Sequence, residues 1–182
     1  MKPIKYMLFF IALLSYQMAC TQTNGVKYVP NDKLNIFEGT WQWESNDSIF
    51  TIEILKTIVN SKKLDSSMPD SRDFDRLIGW HELIVNGKVI ETNIKNKSNS
   101  YKYEKTDFII FSNMPSNNEK EINFSNFKNI SKNKSAEGVF IIQADDNNKA
   151  KFILYERILP PKERKGAEGF TVPNRIIMTR VK

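Results

Sequence analysis

The sequence predicts an all-β domain of about eight antiparallel strands, closed into a barrel or, alternatively, packed as a β-sandwich. Three observations predict this class. Apolar and polar residues alternate in many short segments, which is the period of half-buried strands. Turn-forming residues separate some of these segments. Long amphipathic helical patterns are missing from the sequence, and closing a sheet into a barrel removes its exposed edges.

The strands follow one another in short segments. Trp41 and Trp43 share one face of the first strand, and Phe50, Ile52 and Ile54 share one face of the second. In chain order, the predicted strands are 40–44, 50–54, 77–85, 89–93, 108–111, 139–144, 151–157 and 175–181.

Two turns join neighbouring strands as hairpins. Asn86-Gly87 between apolar runs is the strongest short-range hairpin signal, and the stretch 145–148 (Asp-Asp-Asn-Asn) favours a second turn. A short helical turn is allowed within 54–63. Longer polar connections are expected at 56–75, 93–106, 112–136 and 158–174, and loops of this length often carry function.

The composition excludes several classes of protein. The chain has 182 residues and a net charge of +6, with one Cys and one His. One Cys excludes an internal disulfide framework, and this Cys and His count is too small for the usual zinc sites. The basic residues are mostly Lys scattered among Asn, so we expect a solvated surface and no nucleic-acid partner. We expect no metal and no cofactor.

No motif in the sequence indicates catalysis. His81 and Glu82 are neighbours in a predicted strand and therefore point to opposite faces, so His81 is expected to be structural or on the surface. The carboxylates of 70–75 lack the Gly and distal Glu of a calcium loop, which favours a plain polar loop. The basic stretch 160–165 is expected to be a solvated loop. We expect no catalytic residues.

The first twenty residues have the pattern of a secretory signal. Lys2 and Lys5 precede a short apolar run over 6–14, and the small residue Ala19 comes directly before Cys20. The run is too short to span a bilayer comfortably. Gln17-Met18-Ala19-Cys20 resembles the lipobox of bacterial lipoproteins, although Gln17 stands where an aliphatic residue is usual.

That resemblance implies a lipidated Cys20. The domain assignment is then a signal peptide at 1–19, a lipidated Cys and tether at 20–35, and a single barrel-like domain at 36–182. It also implies an exported protein anchored to the bacterial outer membrane. The absence of an acidic stretch after Cys20 favours the periplasmic side. Ordinary signal cleavage without lipid and an uncleaved anchor remain alternatives.

Residues 37–41, Phe-Glu-Gly-Thr-Trp, resemble the opening of a lipocalin-type barrel. The resemblance implies a lipocalin-like barrel in which a basic residue of the last strand stacks on Trp41 and closes the barrel end. Arg175 and Arg180 are the candidates for this role.

A wider pattern resembles an uncharacterised family of exported Bacteroidota proteins. It combines the signal, the Phe-x-Gly-Thr-Trp motif, the stretch 77–80 leading to Asn86-Gly87, and a last strand ending at 178–180. The resemblance implies a domain of unknown function and supplies no catalytic residue.

We therefore expect a non-catalytic interaction or structural module that contacts an envelope protein. The alternative is a binding protein for a small apolar ligand, in which Trp41, Trp43, Phe50 and Trp80 line a cavity. In a barrel this small, such residues are more often simply the core. A hydrolase is a remote alternative.

Overall fold

The computed structural model describes residues 27–64, 72–94, 108–112, 114–116, 118–156 and 169–181. In these ranges the chain forms ten strands and three single- or double-turn helices, and none of the helices is long and apolar enough to cross a bilayer. The strands are β1 (Lys27–Val29), β2 (Gly39–Ser45), β3 (Ser48–Asn60), β4 (Arg72–Val85), β5 (Lys88–Thr92), β6 (Ile109–Phe111), β7 (Glu121–Asn129), β8 (Lys134–Ile142), β9 (Lys149–Glu156) and β10 (Arg175–Arg180). The helices are two 3-10 helices, Asp32–Phe37 and Ile130–Lys132, and the α-helix Ser61–Leu64.

Eight of the strands form a closed ring in which every neighbouring pair is antiparallel. The ring runs β2, β3, β4, β6, β7, β8, β9, β10 and back to β2. The pairing of Ile78 with Ile110 joins β4 to β6, and the pairing of Arg180 with Trp41 joins β10 to β2. Each ring strand lies beside the ring strands that precede and follow it in the chain. The structure therefore confirms the lipocalin-like antiparallel barrel over the sandwich.

β4 is the strand that holds the two strands outside the ring. One of its edges pairs with β3 along its whole length. The other edge is shared by three partners in succession: β1, which is parallel, then β6, then β5. β3 extends to Asn60 and β4 begins at Arg72, so 56–60 and 72–75 are strand where the sequence led us to expect a loop. The paired strands β3 and β4 are called the β3–β4 ribbon. Charged and polar residues within 56–60 and 72–75 hid the continuation of these two strands in the sequence.

The two ends of the barrel are called the base and the upper rim. β10 runs towards Arg180, and that end, with the 3-10 helix Asp32–Phe37, is the base. The opposite end is the upper rim, which holds the turn at Asn86-Gly87 and the connection from β7 to β8. In that turn Asn86 has φ 51° and Gly87 φ 71°, the conformation that an Asn-Gly hairpin requires.

The folded part begins before residue 36, where the sequence placed the start of the domain. β1 pairs with β4, and Leu34 in the 3-10 helix is fully buried in the core. Asn31 caps this helix by accepting a hydrogen bond from the Lys33 amide, which is a usual N-cap arrangement.

Aromatic side chains fill the interior of the barrel. The rings of Phe124 and Phe152 stack with centroids 5.3 Å apart, and Phe50 lies 5.6 Å and Phe127 5.8 Å from Phe152. Gly138 faces Phe124 across the strand pair, and a Cβ there would overlap the Phe124 ring. The phenyl ring of Phe124 thus occupies the space that a side chain at position 138 would need, and the result is the close packing of a protein interior.

A β-bulge explains why the sequence did not predict β7. The register between β7 and β8 shifts between Phe124 and Phe127, and Asn126 there has φ 60°. The extra residues change which positions face inward, so Phe124 and Phe127 both point into the core although their spacing is odd. Expecting one connection over 112–136 was wrong because this irregularity breaks the alternation.

Candidate functional site

Arg180 and Trp41 lie against each other at the base of the barrel. The guanidinium carbon of Arg180 lies 4.5 Å from the Trp41 ring centroid, and Arg180 also donates a hydrogen bond to the Ile36 carbonyl. The Trp41 indole N–H donates to the Phe37 carbonyl at 3.0 Å. Arg175 is exposed at the other end of β10, so of the two candidate residues it is Arg180 that contacts the ring.

The four aromatic residues named as cavity-lining candidates do not meet in one place. Trp41 and Phe50 are fully buried in the main core, and Trp43 packs against the same cluster. Trp80 lies in a second cluster with Ile78. Its neighbour His81 points inward, so the alternation of β4 turns Trp80 to the outer face.

A polar network lies at the upper rim, within the barrel wall. His81 on β4 and Glu91 on β5 are both buried, and His81 Nε2 lies 2.8 Å from Glu91 Oε1. The second carboxylate oxygen accepts hydrogen bonds from Asn129 Nδ2 at 2.6 Å, from Ser131 Oγ at 2.8 Å and from Thr171 Oγ1 at 3.0 Å. This set of five residues is called the Glu91 network below.

Two bulges and one alternating strand bring the network together. β4 places His81 inward, where its ring stacks on Phe127 with centroids 4.6 Å apart. The register of β5 on β4 shifts at Ile90, which places Glu91 opposite the inward-facing Leu83. Past the bulge in β7, Asn129 also faces inward and is fully buried. Ser131 reaches the carboxylate from the 3-10 helix Ile130–Lys132, and Thr171 reaches it from the segment before β10; both lie at the upper rim.

The Glu91 carboxyl group stays ionised down to pH values well below neutral, because its pKa is lowered. Burial alone would raise the pKa of Glu91, but the hydrogen bonds from His81 and Ser131 outweigh it and lower this pKa from 4.5 to about 2. A buried charge is tolerated when several donors surround it. The network therefore holds a compensated negative charge inside the wall.

The order of groups does not match a serine-hydrolase relay. In such a relay the imidazole lies between the hydroxyl and the carboxylate, so that it can take the hydroxyl proton. Here the Glu91 carboxylate lies between Ser131 and His81. Among the described residues, His81 Nδ1 has no hydrogen-bond partner and is buried, so it contacts neither hydroxyl. The arrangement joins three chain segments through the Glu91 carboxylate.

A second buried carboxylate, Asp75, joins the N-terminal segment to the β3–β4 ribbon. It accepts hydrogen bonds from the Tyr28 hydroxyl at 2.7 Å and the Asn31 amide at 2.9 Å, and Lys56 Nζ lies 3.6 Å away. Burial raises the pKa of Asp75, but these hydrogen bonds and Lys56 lower it further than burial raises it. The rest of the acidic loop, at 70–71, lies outside the described residues, as do Cys20 and the stretch 160–165.

The sequence predicted a structural His81 but missed its partners. Glu91 was placed in a returning strand, and Asn129, Ser131 and Thr171 in or beside expected loops. The separation of 40 residues between Glu91 and Ser131, and of 80 between Glu91 and Thr171, leaves no local motif. The one available signal was a His and a Glu in strands joined by the Asn86-Gly87 hairpin, which brings those strands side by side.

The closed ring of eight antiparallel strands defines a lipocalin-like β-barrel protein. The chain belongs to a family of unknown function, DUF6705, whose model matches residues 1–181. No curated protein and no solved structure matches the chain.

Proposed function

We propose that this protein is a membrane-anchored, non-catalytic interaction module of the cell envelope. The observation that carries the proposal is the state of the barrel interior, which is filled with mutually packed aromatic rings. A filled barrel is a rigid support, so the functional contacts lie on its outer surface.

The alternative functions find less support in the same contacts. A small apolar ligand needs an enclosed space, whereas the Phe152 ring contacts both Phe50 and Phe124 in the middle of the barrel. A hydrolase of the serine–histidine type needs an imidazole next to its hydroxyl, whereas Glu91 lies between His81 and Ser131. The interaction module requires neither.

The anchor in this proposal is lipid on Cys20. The lipobox-like stretch Gln17-Met18-Ala19-Cys20 supports it. Each buried CH₂ contributes about 0.8 kcal/mol, so two or three acyl chains hold a domain on a membrane for long periods. We place the anchored barrel on the outer membrane, facing the periplasm.

The upper rim offers the surface for a protein partner. Val89, Ile90 and Ile130 are large apolar side chains that are 50%, 41% and 42% exposed. Val89 and Ile90 precede Glu91 in β5, and Ile130 precedes Ser131, so the Glu91–Ser131 hydrogen bond holds the two segments side by side. Apolar residues held on a rigid base are typical of the centre of a protein interface.

Photo-crosslinking in intact cells tests this surface. A photoreactive amino acid at Ile130 should give one discrete adduct, and the additional substitution Val89→Asp should abolish it. The matched control position is Ile177, which is 44% exposed on the outer wall of β10. Equal adducts at Ile130 and Ile177, or an adduct that persists in the Val89→Asp variant, would contradict the proposal.

A further inference from the structure

We propose that the base of the barrel rests on the bilayer surface, so that the upper rim points away from the membrane. The contact is made by four exposed side chains, Tyr28, Val29, Ile58 and Met114, called the base patch below. This inference rests on the proposed lipid anchor at Cys20 and adds an orientation to it.

The length of the chain before β1 limits how far the base can lie from the membrane. Lys27, the first residue of β1, is seven residues after Cys20. A fully extended chain spans at most about 3.5 Å per residue, so the step is at most about 25 Å. β1 pairs with Arg72–Phe74 in the ribbon below the barrel, so the anchor holds this end and not the upper rim close to the bilayer.

The base patch is apolar and unusually exposed. Tyr28 is 45%, Val29 43%, Ile58 57% and Met114 62% exposed. Val29, Met114 and Asp75 line one groove of about 410 Å³. Ile58 pairs with Asp75 across the β3–β4 ribbon, and the Tyr28 hydroxyl donates to Asp75, so both side chains are neighbours of the carboxylate that lines this groove. Three different segments thus place apolar side chains at the end from which the anchor leaves.

The chemistry of the patch suits the interfacial region of a bilayer. Tyr is favoured there because its ring is apolar and its hydroxyl is polar. The Tyr28 hydroxyl donates to Asp75, which leaves the ring side exposed. Lys27 and Lys62 are exposed at the same end, and long basic side chains can reach lipid headgroups while their stems cover apolar surface.

The contact need not bind the membrane strongly by itself. Lipidation fixes the domain near the surface, so the patch acts at a high effective concentration. Burying even part of these four side chains then selects one orientation, because the opposite orientation would require a longer tether.

Depth-dependent quenching on vesicles tests the orientation. The full-length protein is produced in a Gram-negative host, extracted from membranes and reconstituted in vesicles whose acyl chains carry a nitroxide quencher. A lipidated Cys20 has no free thiol, so a fluorophore reacts with the one introduced Cys in Met114→Cys or Ile130→Cys. Intact mass is recorded for each sample. We expect at least twofold stronger quenching at position 114 than at position 130.

A disrupting variant separates contact from attachment. Val29→Asp with Ile58→Asp, made in the Met114→Cys background, should reduce quenching at 114 to the level seen at 130, while lipid mass and membrane recovery stay unchanged.

The other outcomes overturn the proposal in distinguishable ways. Equal quenching at both positions in a lipidated protein would refute the orientation and leave the anchor intact. A mass without lipid, accompanied by labelling of Cys20, would refute the anchor and this inference with it. A dimer crosslinked through position 114 without lipid quenching would show that a second copy covers the patch.

Discussion

Replacing Glu91 by Gln should destabilise the barrel, because the Glu91 carboxylate is buried and accepts several hydrogen bonds. The Gln amide keeps the shape of the side chain. Its NH₂ group, however, faces hydrogen-bond donors and cannot accept the hydrogen bonds that the replaced carboxylate oxygen accepted. The pKa of Glu91 is lowered from 4.5 to about 2, and one pKa unit corresponds to about 1.4 kcal/mol. We therefore expect the Glu91→Gln variant to lose about 3 kcal/mol of unfolding free energy at pH 7.

The pH dependence gives the same prediction a second readout. Because the pKa of Glu91 is lower in the folded state, its contribution is complete above pH 4.5 and is lost as the pH falls towards about 2. The difference between wild type and Glu91→Gln should shrink over that interval. Urea unfolding followed by Trp fluorescence measures it, with Glu44→Gln on the exposed part of β2 as the matched control.

Two results would refute this reasoning. One is a Glu91→Gln variant as stable as Glu44→Gln at pH 7. The other is a difference from wild type that stays constant between pH 5 and pH 2.5, which would mean that the carboxylate charge is not what the donors of the network stabilise.

Three further substitutions test the core, the base and the bulge, all by urea unfolding. Gly138→Ala should cost about 1–3 kcal/mol or more, because its Cβ would overlap the Phe124 ring. Arg180→Lys should cost on the order of 1–2 kcal/mol, since Lys loses the planar stacking on the indole, whereas Arg175→Lys should change little. Asn126→Val should cost about 1–2 kcal/mol, because a β-branched residue is strained at φ 60°.

Each of these substitutions has a control or a contradicting result. In the control Gly87→Ala, the added Cβ meets no atom within 4 Å, but the residue has a positive φ. Its unfolding free energy should therefore fall only by the cost of backbone strain, about 1 kcal/mol. A Gly138→Ala variant that is no less stable than Gly87→Ala would contradict the packed interior. Equal effects of Arg180→Lys and Arg175→Lys would contradict the stacking of Arg180 on Trp41 at the base. Asn126→Gly should be tolerated, and a loss as large as that of the Val variant would contradict the role assigned to the bulge.

The barrel class and the turn at Asn86-Gly87 followed from local chemistry. Alternation identified the inner faces of β2 and β3, where Trp41, Phe50 and Ile52 are fully buried. These predictions succeeded because strand period and turn type are set by residues close together in the chain.

The remaining parts depend on non-local register. Asn126 in its bulge breaks the alternation of β7, and the shift at Ile90 decides which way Glu91 points. Neither shift is encoded by a local pattern, so the Glu91 network could not be assembled from the sequence. The environment of Trp80 was likewise not predictable from local sequence, because it depends on packing with Ile78 and Phe108 on the outer face of the sheet.

Intact-mass spectrometry of the full-length protein purified from membranes is the decisive test of the proposed lipid anchor at Cys20. We expect a chain that starts at Cys20 and carries the added mass of a diacylglyceryl group with or without a further acyl chain. A chain that starts at another residue, or that starts at Cys20 without lipid, would contradict the proposed anchor.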